Sequence, residues 1–388
     1  MSRLRFGYFM APFHPAGQNP SMLMERDLRF VEHLDGLGYD EIWFGEHHSA
    51  GSEIFASPEI MIAAAASRAP NITFGTGVTS LSYHNPLWAA DRMIQLDHLT
   101  RGRVIFGVGP GSLPTDSMMI GLDPIDTREL LQENVDIIVR LLNGEAVTAK
   151  TRTHELIDAR LQLAPYRPTG LPVSVAAVAS PTGPRLAGTH GLGLLSIGAT
   201  LSADGFDALA HHWNIMEERA QEHGKTVNRD EWSLVGIFHI AETEDEARRQ
   251  VRHGIEQWFD YFQRVAAFPQ MGVSGDKLDE MIDFVKDSGI GVIGTPEQAR
   301  NQVQRLWDQS GGFGSMLQMA TDWATPRDTR RSAELFAEQV FPYFQGQAQP
   351  TPDAAERARA VQSGYADKQM AAVDHMTKKY EQELAAKA

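Results

Sequence analysis

Short apolar runs of strand-forming residues alternate with segments of helical length along most of the chain, and this alternation restricts the possible folds more than any other feature. The runs fall at 4–10, 42–44, 72–79, 104–108, 173–178, 192–197, 232–241 and 313–319. Each is too short for a stable helix, and buried parallel strands read as nearly continuous apolar stretches of this length. Helix signals lie between them. Ser21 is placed as a cap and Gly38 as a stop. Pro58 and Pro86 each open a helix, and further helices are expected at 128–142, 181–189 and 203–223. Thr243 caps a segment running to about residue 265, Thr295-Pro296-Glu297 opens another, and the last covers 329–340. Eight strand–helix repeats in succession predict an α/β fold, a closed (β/α)8 barrel.

The chain is longer than a bare barrel needs, and the surplus is localised. Residues 147–163 read as an inserted hairpin or short extended arm. Residues 266–289, rich in Gly, Met and Phe, interrupt the helical pattern as a mobile lid would. The barrel domain is expected to span 1–345. Beyond it, a Gly-Gln-Ala-Gln-Pro-Thr-Pro linker leads to a helix over 354–388 whose weak stripe of Val361, Tyr365, Val373, Tyr380 and Leu384 suggests an appendage packed on the barrel or on a second subunit. The net charge of −15 disfavours nucleic-acid and membrane-surface binding. The absence of cysteine excludes disulfides, thiolate nucleophiles and Cys-ligated metals. No apolar run reaches membrane-spanning length, so a cytoplasmic enzyme is expected.

The second strand run stops abruptly at Glu46-His47-His48. Barrel enzymes gather their reactive groups at the C-terminal ends of strands, and imidazole titrates near neutral pH, so His47 is the leading catalytic candidate. The bland alternative is a satisfied structural histidine. A metal site is disfavoured, because adjacent residues on a strand end diverge and no spaced partner such as His-x-x-x-His is present. Gly107-Val108-Gly109-Pro110-Gly111 follows the fourth strand. It lacks the spacing of a dinucleotide loop and reads instead as a place where a flat ring or phosphate approaches the backbone. Ala179-Ser180-Pro181-Thr182-Gly183 precedes a helix and offers hydroxyls and N–H groups to an anion, or is simply a Ser-Pro helix start. Asp97 and His98, late on a helix, read as structural. Phe9, Met10, Phe13, Met118, Met119, Trp258, Phe259, Phe262 and Phe268 lie near expected loops, where they either line a pocket for a hydrocarbon or pack the core.

Several motifs together carry a resemblance. They are Gly38 to Gly45 running into Glu46-His47-His48, Phe74-Gly75-Thr76-Gly77-Val78, Asn85-Pro86, Gln95 to Arg103 leading into Gly107-Val108-Gly109, and Gly294-Thr295-Pro296-Glu297. Across residues 4–343 the chain resembles the bacterial luciferase-like flavin monooxygenases. The resemblance implies reduced flavin, FAD or FMN, with O2 as co-substrate and NADH used only through a separate, transient flavin reductase. It implies oxygenation of a small hydrophobic substrate, epoxidation of a monoterpene above all. Ketone oxygenation, flavin- or deazaflavin-dependent hydride transfer and non-catalytic flavin binding are the alternatives. By position, His47 matches the histidine beside the reactive flavin carbon, and Glu46 the carboxylate near the ring's pyrimidine edge. Gly77-Val78 matches a segment, often with a cis bond, on which the ring rests, and Gly109 falls in the neighbouring loop. Ser196 falls where a strand end approaches the ring. The phosphate site departs from the family pattern: Pro110 stands where luciferases have arginine and Ala179 where they have serine, which leaves Ser180 and Thr182 as substitutes. A homodimer is compatible with this picture.

Overall fold

The computed structural model describes residues 3–178, 180–197, 208–266 and 277–387. The barrel strands are β1 (Arg5–Met10), β2 (Glu41–Phe44) and β3 (Thr73–Thr76), with the two-residue β4 (Thr79–Ser80) continuing beyond it, then β5 (Val104–Gly109). A hairpin of β6 (Val147–Lys150) and β7 (Glu155–Ala159) interrupts the series before β8 (Val173–Ala177), β9 (Gly193–Ile197), β10 (Trp232–Ile240), β11 (Gly291–Gly294) and β12 (Ser315–Met319). Parallel pairing runs β1-β2-β3-β5-β8-β9-β10-β12 and returns to β1, closing an eight-stranded barrel with helices around it. The hairpin is antiparallel, as its sequence suggested.

Strand alternation decides what fills the barrel. Phe9, Trp43, Leu195, Val235 and Leu317 pack inside it, with Val78, Ile105, Ile197 and Met319 beside them. Trp43 is the central plug, and its indole lies where side chains from β3 and β5 would otherwise project. A Cβ on Gly75 would come within 2.2 Å of that ring, and one on Gly107 within 2.8 Å of it and 1.8 Å of the Thr76 carbonyl oxygen. Phe6, Tyr8, Tyr39 and Phe336 fill the layer between the wall and the outer helices.

The local signals explain most boundaries. Thr295 and Gln298 form a reciprocal capping box, Thr243 caps Glu244–Val251, and Gly38 ends Pro20–Leu37 in the left-handed conformation. Several expectations change. Asn19, not Ser21, caps the first helix, because Pro20 occupies its first turn. The helix expected over 243–265 breaks into Glu244–Val251 and Ile255–Arg264 at Gly254, where a Cβ would lie 2.3 Å from the Asp322 carbonyl oxygen. The segment 266–289, expected to be a mobile lid, contains the helix Leu278–Asp287, while 267–276, including Phe268, lie outside the described residues. Immediately after that helix, β11 pairs with the C-terminal half of β10, a strand the Gly-Val-Ile-Gly run was too brief to announce.

The chain divides into two units, Met1–Phe341 and Pro342–Ala388. The second contains Pro350–Ala360 and Gln362–Ala385, two helices where one was expected. The proline that suggested a linker sits in the first turn, where its missing N–H costs nothing. Among the described residues, no helix is long and apolar enough to cross a membrane.

Candidate active site

The loop after β2 turns back on itself immediately beyond the strand. Gly45 donates to the Met10 carbonyl and packs so closely that a Cβ would lie 2.7 Å from that of Ala11. His47 N–H donates to the Phe55 carbonyl oxygen at 2.9 Å, closing the loop. The consequence is that Glu46 and His47 face different partners.

Glu46 is buried and turns toward the β4 side. Its Oε2 accepts from the Ser80 N–H at 2.8 Å, and its Oε1 lies 2.9 Å from His48 Nε2 and 2.8 Å from His84 Nε2. Burial opposes ionisation, but the bonds from His48, His84 and the Ser80 backbone outweigh it and hold the carboxyl down to about 2. His48 is raised in turn, chiefly by its bond to Glu46.

His47 points the other way, between two carboxylates. Its Nδ1 lies 3.3 Å from Asp116 Oδ2 and its Nε2 3.5 Å from Glu53 Oε2. Burial works against its positive charge, yet Glu53 and Asp116 prevail and the pKa is raised above the ordinary value. An imidazolium has a donor on each ring nitrogen, which this arrangement matches. Asp116 sits in the first turn of the short helix Pro114–Met119 and also accepts from the His48 N–H and the Ser49 hydroxyl. The bond from His47 is prominent among the effects that hold it below its usual value against burial. Glu53 accepts from the Tyr261 hydroxyl at 2.5 Å, so helix Ile255–Arg264 reaches the same cluster.

The adjoining wall has room for a flat ligand. The Gly77–Val78 peptide is cis. Val78 faces Gly109, where a Cβ would lie 2.6 Å from the valine Cγ2, and β4 pairs Ser80 with Gly109. Among the described residues, the Thr79 and Tyr83 hydroxyls here have no hydrogen-bond partner, and burial keeps the Tyr83 phenol neutral by raising its pKa. A glycine-relieved wall, unpaired hydroxyls and a fixed carboxylate suit the face and polar edge of an isoalloxazine ring. On the neighbouring strand, Ala176 approaches Gly109, and helix Thr182–His190 begins just beyond with no side-chain cap on its N-terminus. Ser180 and Thr182 stand at that N-terminus; Ala179 lies outside the described residues.

Ser196 does not join this group. Its hydroxyl accepts from Trp232 Nε1 at 3.0 Å and faces His212 Nδ1 at 3.2 Å, on the outer side of the wall, because β9 turns Leu195 and Ile197 inward. Met118 and Met119 are about two-thirds exposed and line no interior. Phe13, Trp258, Phe259 and Phe262 do converge, joined by Leu113, Ala50 and Trp323 in an apolar cluster drawn from the β1, β2, β5 and β12 loops and helix Ile255–Arg264. Asp97 and His98 bond to the backbone of Tyr166 and Ala164, as structural residues would.

Sequence reasoning missed Glu53, His84, Asp116 and Tyr261. The first three are ionisable residues in loops following barrel strands, a signal available in principle; Tyr261 carried none, being one aromatic among several on an amphipathic helix. A separate cleft of about 530 Å3 opens at the other end of the barrel, beside Arg5, Glu41, Thr73 and Ser233. There Arg5 and Glu41 pair at 2.6 Å and Glu41 also accepts from Trp43 Nε1, so the cleft's charges stabilise the barrel floor. Chemistry on such barrels is located at the opposite, C-terminal face.

Comparison with known proteins agrees with this fold. The family model of luciferase-like monooxygenases matches residues 4–312. Limonene 1,2-monooxygenase of Rhodococcus erythropolis is 46% identical over 383 residues, covering 99% of this chain and 97% of that protein. The 4-hydroxyprotoasukamycin monooxygenase of Streptomyces nodosus subsp. asukaensis is 40% identical over 348 residues, 89% of this chain and 94% of that protein. In fold, the oxygenating constituent of 3,6-diketocamphane monooxygenase from Pseudomonas putida, solved with FMN, aligns with a TM-score of 0.69 at 24% identity, over 88% of this chain and 98% of that one. With the family model covering most of the barrel and two relatives at 40% identity or more, the chain belongs to the luciferase-like monooxygenase family.

Proposed function

We propose that this flavin-dependent monooxygenase is the oxygenase component of a two-component system and that it epoxidises a monoterpene alkene such as limonene. The observation that carries the reading is His47, a part-buried imidazole after β2, paired on one side with Asp116 and on the other with Glu53. The reaction balances as reduced flavin, O2 and alkene giving oxidised flavin, epoxide and water, with one oxygen atom entering each of the last two. Reduced flavin, FMN or FAD, supplies the two electrons that activate O2. The chain's own residues hold, orient and protonate.

Glu46, fixed by Ser80, His48 and His84, would hold the polar edge of the ring, and Gly77, Val78 and Gly109 would leave room for its face. Ser180, Thr182 and the uncapped N-terminus of helix Thr182–His190 receive the phosphate, using N–H groups the helix leaves unpaired. His47 keeps a proton at the mouth. An acid there favours electrophilic oxygen delivery, as an alkene requires, over the nucleophilic delivery used on ketones. The apolar cluster around Trp258, Phe262 and Trp323 keeps water out and matches a hydrocarbon substrate. The limonene monooxygenase relative, 46% identical along nearly the whole chain, supports the substrate class.

Electrons are proposed to come from a separate NADH-dependent reductase. The test is to supply the chain with limonene, O2, flavin and NADH, with and without such a reductase. Epoxide formed only when the reductase is present is the expected result. NADH consumption by the chain alone, or flavin turnover with no oxygenated terpene, would overturn the reading.

A further inference from the structure

His47 is held from two sides, and the two sides differ in kind. Asp116 is itself anchored by the His48 N–H and the Ser49 hydroxyl, both from the β2 loop, so its position is set close to the barrel. Glu53 is anchored from elsewhere. Its Oε2, the oxygen facing His47 Nε2, also accepts from Tyr261, which is 208 residues away in sequence and lies on helix Ile255–Arg264. That helix carries Trp258, Phe259 and Phe262 into the apolar cluster over the mouth. The groups around His47 are thus Glu46, His48 and Glu53 from its own loop, Asp116 from helix Pro114–Met119, and Tyr261 acting through Glu53. Tyr83 also lies near, against His48.

We propose that Glu53, anchored by Tyr261, is a positioning residue that keeps the second proton on His47, so that the same helix which covers the mouth also sets the acid. This rests on the reading of His47 as the proton donor. The His47 side chain is only 13% exposed, so its charge needs a carboxylate to compensate for most of the lost water, and Asp116 alone satisfies only Nδ1. Without Glu53, Nε2–H would lose its carboxylate at 3.5 Å, and the balance would move toward the neutral ring. Tyr261 matters because an unanchored glutamate side chain has several rotamers, only some of which reach Nε2. Its phenol stays protonated as a donor, since burial and the Glu53 charge both raise its pKa. The link makes proton supply depend on the seated helix, and so on the exclusion of water.

The test follows the His47 ring by NMR in the full-length chain without flavin, with the resonance assigned through His47→Gln. Glu53→Gln, nearly the same size and still an acceptor for Tyr261, should lower the His47 titration midpoint by about one pH unit or more, the usual scale for removing an opposite charge at this range. Tyr261→Phe should move the midpoint in the same direction by less. In turnover, the ratio of product to H2O2 should begin to fall at correspondingly lower pH in both variants. A purely structural role would lower the melting temperature and leave the midpoint where it was. An unchanged midpoint in Glu53→Gln overturns the proposal, and an unchanged or higher one in Tyr261→Phe overturns the anchor. Because the titration needs neither flavin nor substrate, its outcome is independent of whether the chain epoxidises limonene.

Discussion

Replacing Glu46 by glutamine removes one charge from a buried carboxylate that accepts three hydrogen bonds. The side chain is 1% exposed and accepts from Ser80 N–H, His48 and His84. Its pKa falls from an ordinary 4.5 to about 2 despite burial. At 1.36 kcal/mol for each pH unit, the ionised form contributes about 3 kcal/mol to the folded state. The sign follows from the direction. A carboxyl depressed on folding contributes fully above its unfolded value near 4.5, and the contribution disappears as pH falls through about 2. Glutamine keeps one carbonyl acceptor, but its NH2 must then face Ser80 N–H or the two imidazoles, adding a donor where only acceptors fit. Urea unfolding of wild type and Glu46→Gln, followed by tryptophan fluorescence, should differ by about 3 kcal/mol near pH 7. The gap should narrow steadily as pH drops below 4.5. A gap under about 1 kcal/mol, or one equal at every pH, would show that the Glu46 network does not stabilise the site as argued.

Two further outcomes follow from the barrel. Gly107→Ala would place a methyl group 1.8 Å from the Thr76 carbonyl oxygen and 2.8 Å from the Trp43 ring, so it should cost about 3 kcal/mol by denaturant unfolding; a loss below about 1 kcal/mol would contradict the packing described. Thr295→Ala removes half of a capping box at a solvent-facing helix start and should cost about 1 kcal/mol without changing turnover.

The barrel was legible because its signals are local. Each strand is a short apolar run, and most helix starts carry a proline or a hydroxyl at the required place. Pro20 even marked the true cap, since the residue before a first-turn proline, Asn19, is the one left to accept from the N–H groups. The site was legible only where chemistry coincides with a strand end, as at Glu46 and His47. Asp116 and Tyr261 meet that loop from 69 and 208 residues away in sequence, and no local pattern encodes such meetings. Ser196 shows a second limit. A strand apolar on both faces does not reveal which residues turn inward, and a shift of one position moves a hydroxyl from the barrel mouth to the outer layer. Gly254 shows a third, because its break is imposed by the Asp322 backbone rather than by its own neighbours.

His47, as the proposed acid, directs activated oxygen into the substrate. This role is tested most directly by the ratio of epoxide to H2O2 in the reductase-coupled assay, for wild type and His47→Ala. In His47→Ala, product should fall by about 10²-fold while H2O2 rises to take up the same reducing equivalents, with reduced-flavin binding nearly unchanged. An unaltered ratio in His47→Ala, whatever its stability, would contradict it.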